Sequence, residues 1–515
     1  MKYLIGIDAG TTNVKAVLFD EEGNEVCVKS FADEVLRSTN GNTAEKDMNV
    51  VWEKVKACLK GIMQKGIARK DEIAGIGVTG QGEGIWLIDK DGNPLQNAIL
   101  WCDGRAVSVV QEITEEKPEI GQLYYKTTGT PPLPGNQMIL LRWMKKERRE
   151  ILDKSYKLLF CKDWIRYKIT GKIGADLTDS LTSLVDVRTE KISDELLKAM
   201  GVEEYRRLIP DPVCSDTEVG VMLPELADEI GMRRDVPVIA GALDTSSTAV
   251  GLGVIHPKDA CVILGTTCAP EIVLNKEDCL FAAPNSRYER HPLGNLYVEL
   301  QATLNGTPNI DWMLNNISTT HDFDEIDRIV ADTPVGCGGV VYSPYISLAG
   351  ERAPFYHPYA RAGFFGISTA TTRQMLIRAV YEGISLSIRD CLSHIDSGST
   401  IYLAGGGAKS PVWAQMISDV MGLRVCIPIS RELGAKGVAI MAGVREGVYE
   451  NYEEAVSRAC RTKCCYSPNM LNKKKYDLLY DLYVQIRQND VKMWDYRHQM
   501  NKNIKKITDE QEQKK

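Results

Sequence analysis

The stretch GIDAGTTNVKAVLFD (residues 6–20) decides the fold of this chain. Its pattern predicts a strand that ends at Asp8, a tight turn, and a second apolar strand. The turn contains Gly10, Thr11 and Thr12, and glycine there lets the backbone approach an anion closely. Neighbouring N–H groups and threonine hydroxyls form a concave array of donors that suits phosphate. Taken alone, such a turn is equally compatible with a structural role.

The same pattern returns in the second half of the chain. DACVILGTTCAPEIVLN (259–275) again predicts a strand, a Gly-Thr-Thr turn and a strand. Two such segments, each near the start of one half, indicate a duplicated module. We therefore expect Gly265 and Thr266 to form a second phosphate contact. The predicted units are 1–250, 251–490 and a polar tail, 491–515.

Length and composition narrow the class of protein. At 515 residues the chain is too long for one core, and 44% hydrophobic with 25% charged residues is typical of a globular protein. A net charge of −7 argues against a nucleic-acid partner. No stretch approaches the ~18 consecutive apolar residues of a membrane-spanning helix, and the start shows no secretory signal. The fourteen cysteines have no zinc-site spacing, so we expect reduced thiols and a cytoplasmic protein without membrane contact.

Strands and helices alternate between the two turns. Apolar residues at helical spacing predict a helix within residues 44–66, and EIAGIGVTG (72–80) predicts a buried strand. This mixture of hairpins and crossover helices belongs to the α/β class. Beyond residue 485 the polar sequence predicts a solvated terminal helix or a frayed tail.

Asp244 is the candidate for general base. It ends the apolar stretch VPVIAGALD (236–244) and precedes a run of small residues. Phosphoryl transfer to an alcohol needs a group that orients the hydroxyl and accepts its proton. Residue type alone favours a simple helix cap at Asp244. Its position between the two Gly-Thr turns favours the catalytic role. Asp8, beside a polyphosphate, would hold Mg²⁺ directly or through water.

A triple-glycine turn supplies the third element. IYLAGGGAKSPVWAQMISDVMGLRV (401–425) predicts a strand, a glycine turn and a helix with one apolar face. Glycine at such a turn lets an adenine ring lie against the backbone, near the N-terminus of a helix. The alternative is a tight strand-to-helix turn, although three adjacent glycines exceed what that turn requires.

The chain resembles the FGGY carbohydrate kinases, members of the actin-like ATPase superfamily, over about residues 1–490. Six collinear segments carry the resemblance: GIDAGTTNVKAVLFD, GVTGQGEGIWLIDKDGNPLQNAILWCDGRA, GALDTSSTAVGLG, LGTTCAPEI, SLAGERAPFYHPYARAGFFGI and LAGGGAKSPVWAQMISDVMGL. The resemblance implies an α/β fold of two ribonuclease-H-like domains with a deep cleft between them. It also implies closure on substrate, ATP and Mg²⁺ as cofactors, and a small-molecule sugar or polyol as partner. Many relatives are dimers, which leaves a homodimer open.

Site residues carry over from the family by motif. Asp8 is similar to the metal-linked acid, and Asp244 is similar to the general base. The expected phosphate contacts are Gly10, Thr11, Thr12, Asn13, Gly265 and Thr266. The adenosine motif contains Gly405, Gly406 and Ser410. The expected sugar contacts are Gln81, Gly82, Glu83, Asp103 and Asp244.

The substrate segment departs from two branches of the family. Glycerol kinases have Arg-Glu and D-xylulose kinases Met-His where this chain has Gly82-Glu83. The run GQGEGIWLIDKDGNPLQNAIL (80–100) is most similar to L-xylulose and erythritol kinases, and GERAP (350–354) argues against glycerol. A carboxylate at Glu83 accepts bonds from two hydroxyls and would repel a sugar acid. The alternative is a surface glutamate in a strand-turn.

Three functions compete. The first is phosphorylation of a neutral four- or five-carbon ketose or polyol, with L-xylulose ahead of erythritol and with D-xylulose as a further alternative. The second is an actin-like or chaperone-like ATPase without a sugar substrate, which Asp244 and the segment at 80–84 disfavour. The third is a nicotinamide enzyme, because GIGVTG (75–80) spells a dinucleotide-binding motif. A strand follows that motif where a helix is required, so this reading is the weakest.

Overall fold

The structure is a computed structural model that describes residues 1–39, 41–279 and 286–512. The strands of the first half are β1 (Tyr3–Ala9), β2 (Asn13–Asp20), β3 (Glu25–Ala32), β4 (Glu45–Lys46), β5 (Ile73–Gly80), β6 (Trp86–Ile88), β7 (Ala98–Ile99), β8 (Lys157–Leu159), β9 (Ala175–Asp176), β10 (Val185–Asp186), β11 (Lys191–Ile192), β12 (Pro212–Val213), β13 (Glu218–Val221), β14 (Pro237–Ile239) and β15 (Ala242–Leu243). Those of the second half are β16 (Ala260–Leu264), β17 (Cys268–Asn275), β18 (Arg287–Arg290), β19 (Leu296–Leu300), β20 (Val341–Ser343), β21 (Gly363–Phe365), β22 (Thr400–Ala404), β23 (Arg424–Pro428) and β24 (Thr462–Tyr466).

Helices connect these strands. The α-helices are α1 (Met48–Met63), α2 (Val107–Gln111), α3 (Pro118–Thr128), α4 (Gln137–Glu147), α5 (Arg149–Lys154), α6 (Cys161–Thr170), α7 (Leu177–Leu181), α8 (Asp194–Ala199), α9 (Pro224–Ile230), α10 (Asp244–Leu252), α11 (Lys276–Cys279), α12 (Pro308–Asn316), α13 (Phe323–Asp332), α14 (Arg373–Cys391), α15 (Pro411–Met421), α16 (Leu433–Arg445), α17 (Tyr452–Ala459) and α18 (Met470–Glu512). Four 3₁₀ turns cover Lys70–Glu72, Glu203–Leu208, Cys337–Gly339 and Gly406–Lys409, and a π-helical turn covers Glu112–Glu116. The helix predicted within residues 44–66 is confirmed as α1.

Six strands of each large sheet have the same order, and the second sheet adds β18 beside β19 while the first adds β15 beside β5. In the first, β3, β2 and β1 are antiparallel neighbours, and β5 and then β14 continue from β1 as parallel strands. In the second, β19, β17 and β16 are antiparallel, and β22 and β23 continue as parallel strands. Each sheet adds one antiparallel strand beyond the fifth, β13 or β24. The duplicated α/β module predicted from the two Gly-Thr segments is therefore confirmed.

One helix from the second half of the chain packs on the first sheet. Helix α16 packs against β1, β5 and α10. Gly6 and Gly77 allow this approach, because a Cβ at either position would overlap the backbone of Ala435 or Val438. Residues of both halves therefore share one apolar core at the base of the molecule.

Two details differ from the expectations. The stretch 236–244 is divided into β14 and β15 at Gly241, whose φ is +80°, so Asp244 begins helix α10 and is not the last residue of a strand. Cys426 and Cys465 form a disulfide, contrary to the expectation of reduced thiols throughout. They lie directly opposite each other on antiparallel strands, with their Cα atoms 4.1 Å apart, so their side chains meet.

The terminal segment is helical as far as the structure describes it. Helix α18 runs from Met470 to Glu512 without a break at residue 490, and residues 501–510 are exposed. The last three residues of the predicted tail, 513–515, lie outside the described residues. Across residues 1–39, 41–279 and 286–512, the helices are all too short or too polar to span a membrane.

Candidate active site

Three strand ends meet at one edge of the first sheet. Ala9 of β1 and Leu243 of β15 both pair with Gly80 of β5, on opposite sides of that strand. All three strands are parallel, so their carboxyl ends share this edge. The residues that follow these ends are Gly10, Gln81 and Asp244. Ligand sites in open α/β sheets lie at this kind of edge.

Hydrogen bonds to its carbonyl groups fix the first Gly-Thr turn. Lys46 Nζ donates to the Gly10 carbonyl at 3.1 Å, and the Asp33 N–H donates to the Thr12 carbonyl at 2.8 Å. Trp101 Nε1 donates to the Thr11 hydroxyl oxygen at 3.0 Å. The Thr12 side chain is exposed, and Asn13 Nδ2 donates to its hydroxyl oxygen at 3.1 Å. The carbonyl side of the turn is thus fixed by hydrogen bonds, and its Thr12 side is open to solvent.

The second Gly-Thr turn lies against the triple-glycine turn. Gly265 donates to the Thr267 carbonyl at 3.0 Å, and Thr266 and Thr267 are exposed. Gly405 has a φ of +91°, and a Cβ there would lie 2.5 Å from the Leu264 carbonyl oxygen. Only glycine fits this contact without strain. The structure therefore brings these two predicted nucleotide motifs side by side.

The remaining residues of the adenosine motif differ in their surroundings. No heavy atom of the described residues lies within 4 Å of a Cβ built at Gly406, so a flat ring has room to approach the backbone there. Ser410 caps α15: its hydroxyl oxygen accepts from the Trp413 N–H at 3.1 Å. The same hydroxyl donates to Asp327 Oδ1 at 2.6 Å. Ser410 thus orients the helix that follows the glycine turn.

Asp8 and Asp244 form a pair of interacting carboxylates. Burial raises the pKa of Asp8 to about 6, while Lys15 lowers it and Glu432 raises it. Burial raises the pKa of Asp244 to about 7, and the charges of Asp8 and Glu289 add to the rise. Like charges in one cleft oppose each other's ionisation. Perturbed carboxylates of this kind mark functional sites more often than structural ones.

The local geometry of Asp244 differs from that of a helix cap. Leu243 occupies the cap position of α10, and Asp244 is the first residue within the helix. Asp244 Oδ1 accepts from the Thr245 N–H at 2.8 Å. The helix N-terminus stabilises the negative charge that burial disfavours.

The residues present fit a magnesium–nucleotide complex. Over the described part of the chain, no three His, Cys, Asp or Glu side chains are arranged to hold a metal by themselves. Mg²⁺ commonly takes one or two protein carboxylates and completes its shell with phosphate oxygens and water. Asp8, a carboxylate with a pKa raised by burial, would be such a ligand, and a cation beside it would reduce its repulsion with Asp244.

Glu83 is buried, which rules out the alternative of a surface glutamate. Its side chain is 5% exposed and its φ is +60°. Asn136 Nδ2 donates to Oε1 at 2.6 Å, and the Gln137 N–H donates to Oε2 at 3.3 Å. Burial raises the pKa of Glu83, and the nearby Arg287 guanidinium opposes that rise. Arg287 Nη2 lies 3.4 Å from Glu83 Oε1.

The neighbours of Glu83 connect it to the first Gly-Thr turn and to strand β15. The Thr11 hydroxyl donates to Gln81 Oε1 at 3.4 Å, which joins the sugar segment to the first phosphate turn. Gly82 packs between Leu243 and Asp179, and a Cβ there would overlap the Leu243 side chain. Leu243 immediately precedes Asp244. The predicted sugar segment therefore packs directly against Leu243, the residue that precedes the predicted base.

Asp103 has a different environment from Glu83. Its carboxylate is buried, and Oδ2 accepts from the Ala44 N–H at 2.6 Å. Arg105 Nε and Nη2 each donate to the same carboxylate at 2.8 Å. The structure places Asp103 in a satisfied ion pair near the exposed Trp101, and its contact with substrate stays a prediction.

Sequence reasoning missed two residues of strand β18. Glu289 Oε2 accepts from the Thr245 hydroxyl at 2.5 Å, next to the candidate base. Arg287 Nε lies 2.9 Å from Glu289 Oε1 and connects this acid to Glu83. The available signal was the alternation Arg-Tyr-Glu-Arg at 287–290, which looks like a half-solvated strand. Only the tertiary structure shows that Glu289 is 1% exposed.

Sequence reasoning also missed a buried charge cluster behind the sugar segment. Lys162 Nζ lies 2.9, 2.6 and 3.1 Å from the carboxylates of Asp163, Asp176 and Asp179. Asp179 Oδ1 accepts from the Glu83 N–H at 3.3 Å. On the same helix, the Thr178 hydroxyl oxygen accepts from the Leu243 N–H at 2.8 Å and donates to Asp176. Helix α7 thus contacts both the sugar segment and strand β15, which immediately precedes Asp244.

Two copies of one α/β module, the glycine turns at Gly10, Gly265 and Gly405, and the acid pair Asp8 and Asp244 are typical of a two-domain kinase of the actin-like ATPase class. The three glycine turns are called the nucleotide wall below. Residues 3–251 match the N-terminal domain, and residues 260–446 the C-terminal domain, of the FGGY family of carbohydrate kinases. The chain belongs to this family and is a carbohydrate kinase. The family implies the use of ATP and a small-molecule sugar or polyol substrate.

The individual relatives are named for different substrates. The chain is 28% identical to an erythritol kinase of Brucella abortus over 516 residues, which covers 96% of this chain and 97% of the relative. It is 29% identical to an L-xylulose/3-keto-L-gulonate kinase of Escherichia coli over 487 residues, with coverage of 94% and 96%. Its fold is similar to a solved xylulose kinase of Lactobacillus acidophilus, with a TM-score of 0.88, 23% identity, and coverage of 96% and 100%.

Proposed function

We propose that this kinase transfers the γ-phosphoryl group of ATP to a hydroxyl of a neutral small sugar or polyol, with an L-xylulose-like pentulose as the favoured substrate. Asp244 is the general base. One observation carries the proposal: Asp244, with a pKa raised to about 7, follows β15 at the same sheet edge where Gly10 follows β1 and Gln81 follows β5. A general base works best when its pKa lies near the working pH.

The chemical step needs one proton acceptor and a fixed geometry. The substrate hydroxyl oxygen forms a bond to the γ-phosphorus, the bond between that phosphorus and the ADP oxygen breaks, and the hydroxyl proton passes to the Asp244 carboxylate. Gly10, Thr11, Thr12 and Asn13 from one half, and Gly265 and Thr266 from the other, are the proposed phosphate contacts. Mg²⁺, held by Asp8, would neutralise charge on the phosphate oxygens. Positioning and electrostatics supply most of the rate enhancement in this chemistry.

The sugar pocket carries an excess of negative charge. Glu83, Glu289 and Asp244 all interact with the Arg287 guanidinium. Hydroxyl groups can donate to these carboxylates, whereas a substrate carboxylate would be repelled by them. This charge balance supports a neutral substrate over a sugar acid. The name of the erythritol kinase relative keeps a tetritol as the second candidate.

Location and other partners follow from composition and class. We retain a cytoplasmic location, because twelve of the fourteen cysteines are free thiols. We expect no nucleic acid as a partner, because the net charge is −7, and no membrane, because the expected substrate is a small polar molecule.

A coupled ADP-release screen tests the proposal. It compares pentuloses, tetritols, glycerol and hexonates, each with and without Mg²⁺ at a fixed ATP concentration. We expect ADP release to depend on one neutral ketose or polyol, with L-xylulose giving the highest kcat/KM. Full-speed ADP release without any sugar would favour the ATPase alternative. A clear preference for a hexonate would overturn the neutral-substrate assignment while leaving the kinase class intact.

A further inference from the structure

The GERAP motif (350–354) lies in the loop between β20 and β21. Its glutamate, Glu351, is 0% exposed and fixes this loop. Glu351 Oε1 accepts from three N–H groups, those of Arg352 at 2.7 Å, Leu304 at 3.0 Å and Ala353 at 3.4 Å. The bond from Leu304 ties the motif to the segment that follows β19. The backbone of Arg352 is therefore held in place by its neighbour.

Leu304 belongs to the short segment that supports the second Gly-Thr turn. In that segment the Thr307 N–H donates to the Gly265 carbonyl at 2.7 Å. A Cβ on Gly306 would lie only 2.4 Å from the Thr266 carbonyl oxygen, so the two backbones are packed closely. The GERAP loop is thus linked by hydrogen bonds to the segment beneath one of the proposed phosphate contacts.

The Arg352 side chain lacks a protein partner among residues 1–39, 41–279 and 286–512. Its Nε atom is buried without a hydrogen-bond acceptor, and its guanidinium forms no ion pair within 4 Å. Arg361, at the other end of the same loop, donates instead to three backbone carbonyls. A buried charged group without a partner is unfavourable. Arg352 therefore has donors left over for a ligand.

Glu351 does not neutralise this guanidinium. Its Oε2 atom is buried and also lacks a partner in the described part of the chain, so the two adjacent side chains are not paired with each other. Burial raises the pKa of Glu351 to about 7, and a carboxyl group with that pKa is partly protonated near neutral pH. The counter-charge for Arg352 must come from elsewhere.

A second guanidinium lies within electrostatic range of Arg352. Burial lowers the pKa of Arg352, the charge of Glu351 opposes this change, and the charge of Arg287 adds to it. Arg287 in turn interacts with Asp244, the proposed base. Two cations in one cleft repel each other, and an anion bound beside them would relieve that repulsion. The neighbours of Arg352 thus belong to both the phosphate side and the sugar side of the cleft.

We propose that the Arg352 guanidinium binds the phosphoryl group that this kinase transfers, an inference that rests on the proposed function. In ATP it would donate to an oxygen of the γ-phosphate. As the bond from the γ-phosphorus to the ADP oxygen breaks and the bond to the substrate oxygen forms, charge on the transferred group is spread over its three other oxygens. Arg352 keeps its proton throughout and stabilises this charge.

Calorimetry with two nucleotides tests this contact in the absence of sugar. The ligands are ADP and an ATP analogue with an NH group between the β- and γ-phosphorus atoms. Arg352→Gln should weaken binding of the analogue about tenfold and that of ADP less than about twofold, because only the analogue carries the γ-phosphoryl group. Arg352→Lys, which keeps the charge, should lose less. Arg69→Gln removes a side chain that is 75% exposed and should change neither affinity.

The ratio of the two affinities separates a contact from a structural role. Unchanged binding of ADP shows that the variant is folded. An equal loss of affinity for both nucleotides, or no loss for the analogue, would overturn the proposal.

Turnover with the sugar found in the screen gives a second test. Arg352→Gln should lower kcat by about 10²–10³-fold and leave the KM for sugar within about threefold. Added guanidinium ion should restore part of the activity of Arg352→Ala, and the same concentration of sodium ion should not. A raised KM for sugar with unchanged kcat would assign Arg352 to the substrate and contradict the proposal. If no sugar is turned over by the natural protein, the proposed function fails, whereas the comparison of nucleotides still decides the role of Arg352.

Discussion

The nucleotide wall and the sugar pocket are built in different ways. The nucleotide wall consists of three short turns in which glycine and threonine present the backbone, and each turn is contiguous in sequence. The sugar pocket instead gathers charged side chains from distant segments: Glu83 after β5, Asp179 on α7 and Arg287 with Glu289 on β18. In the function we propose, recognition of phosphate would rest on local backbone shape, and recognition of the sugar would rest on tertiary packing of charges.

This difference predicts how each region responds to amino-acid substitution. A turn that binds through N–H groups keeps its function as long as its glycines keep their conformation. A pocket of buried charges changes its preference when one partner changes, because each charge is balanced by the others. Leu243 contacts Gly82 of the sugar pocket, and the next residue, Asp244, interacts with Asp8, which lies just before the first Gly-Thr turn. The proposed base therefore belongs to both regions, and its replacement is the first test.

Asp244→Asn should give the largest effect. The amide cannot accept the hydroxyl proton, so we expect kcat to fall by about 10³–10⁴-fold, at the upper end of the contribution of general-base catalysis. ATP binding, measured by calorimetry without sugar, should change by less than about threefold, because removal of a proton acceptor acts on the transition state. A large loss of ATP affinity together with unchanged kcat would assign Asp244 to nucleotide binding instead.

Glu83→Gln separates the two regions most directly. The variant keeps the shape but removes one of the two carboxylates that lie within 4 Å of Arg287 in the described residues, so we expect kcat/KM for the sugar to fall about 100-fold, or ~3 kcal/mol. The KM for ATP should stay within about twofold, since the nucleotide wall lacks contact with this carboxylate. Glu53→Gln, an exposed change on α1, is the control for charge alone. A parallel rise in the KM for ATP would break the distinction drawn between the regions.

The two regions also differ in how far the sequence could predict them. The strands around both Gly-Thr turns, the helix α1 and the triple-glycine turn follow from local periodicity and composition, and the structure places the second Gly-Thr turn against the triple-glycine turn. Arg287, Glu289, Lys162 and Asp179 could not be found this way. Charged residues in a strand or helix normally indicate a solvated face, and tertiary packing between separate elements buries them here. The Cys426–Cys465 disulfide was missed for the same reason, since it depends on the register of β23 against β24.

Gly405→Ala tests the nucleotide wall. At a φ of +91°, with a Cβ 2.5 Å from the Leu264 carbonyl oxygen, alanine must displace either the glycine turn or the second phosphate turn. We expect the KM for ATP to rise about tenfold, and the free energy of unfolding to fall by about 1–2 kcal/mol. The KM for sugar should be unchanged. Gly406→Ala, where a Cβ has open space, should leave the free energy of unfolding unchanged. Equal destabilisation by both variants would contradict the role assigned to this close contact.

The smallest expected effect is on the pH dependence of stability, and it comes from the acid pair that both regions share. Folding raises the pKa of Asp8 to about 6 and that of Asp244 to about 7, from an ordinary value of 3.8. The folded protein therefore binds more protons than the unfolded chain between about pH 4 and pH 7, and this contribution to the free energy of unfolding falls as pH rises through that window. Asp244→Asn removes the larger shift, so urea titrations should show the variant more stable than the natural protein by about 1–2 kcal/mol at pH 8, with a smaller difference at pH 5. An equal gain at both pH values would show that the aspartate is not held in the unfavourable environment described above. Loss of the gain on adding Mg²⁺ and ADP to both proteins would indicate that the bound complex neutralises this pair, as the proposed role of Asp8 requires.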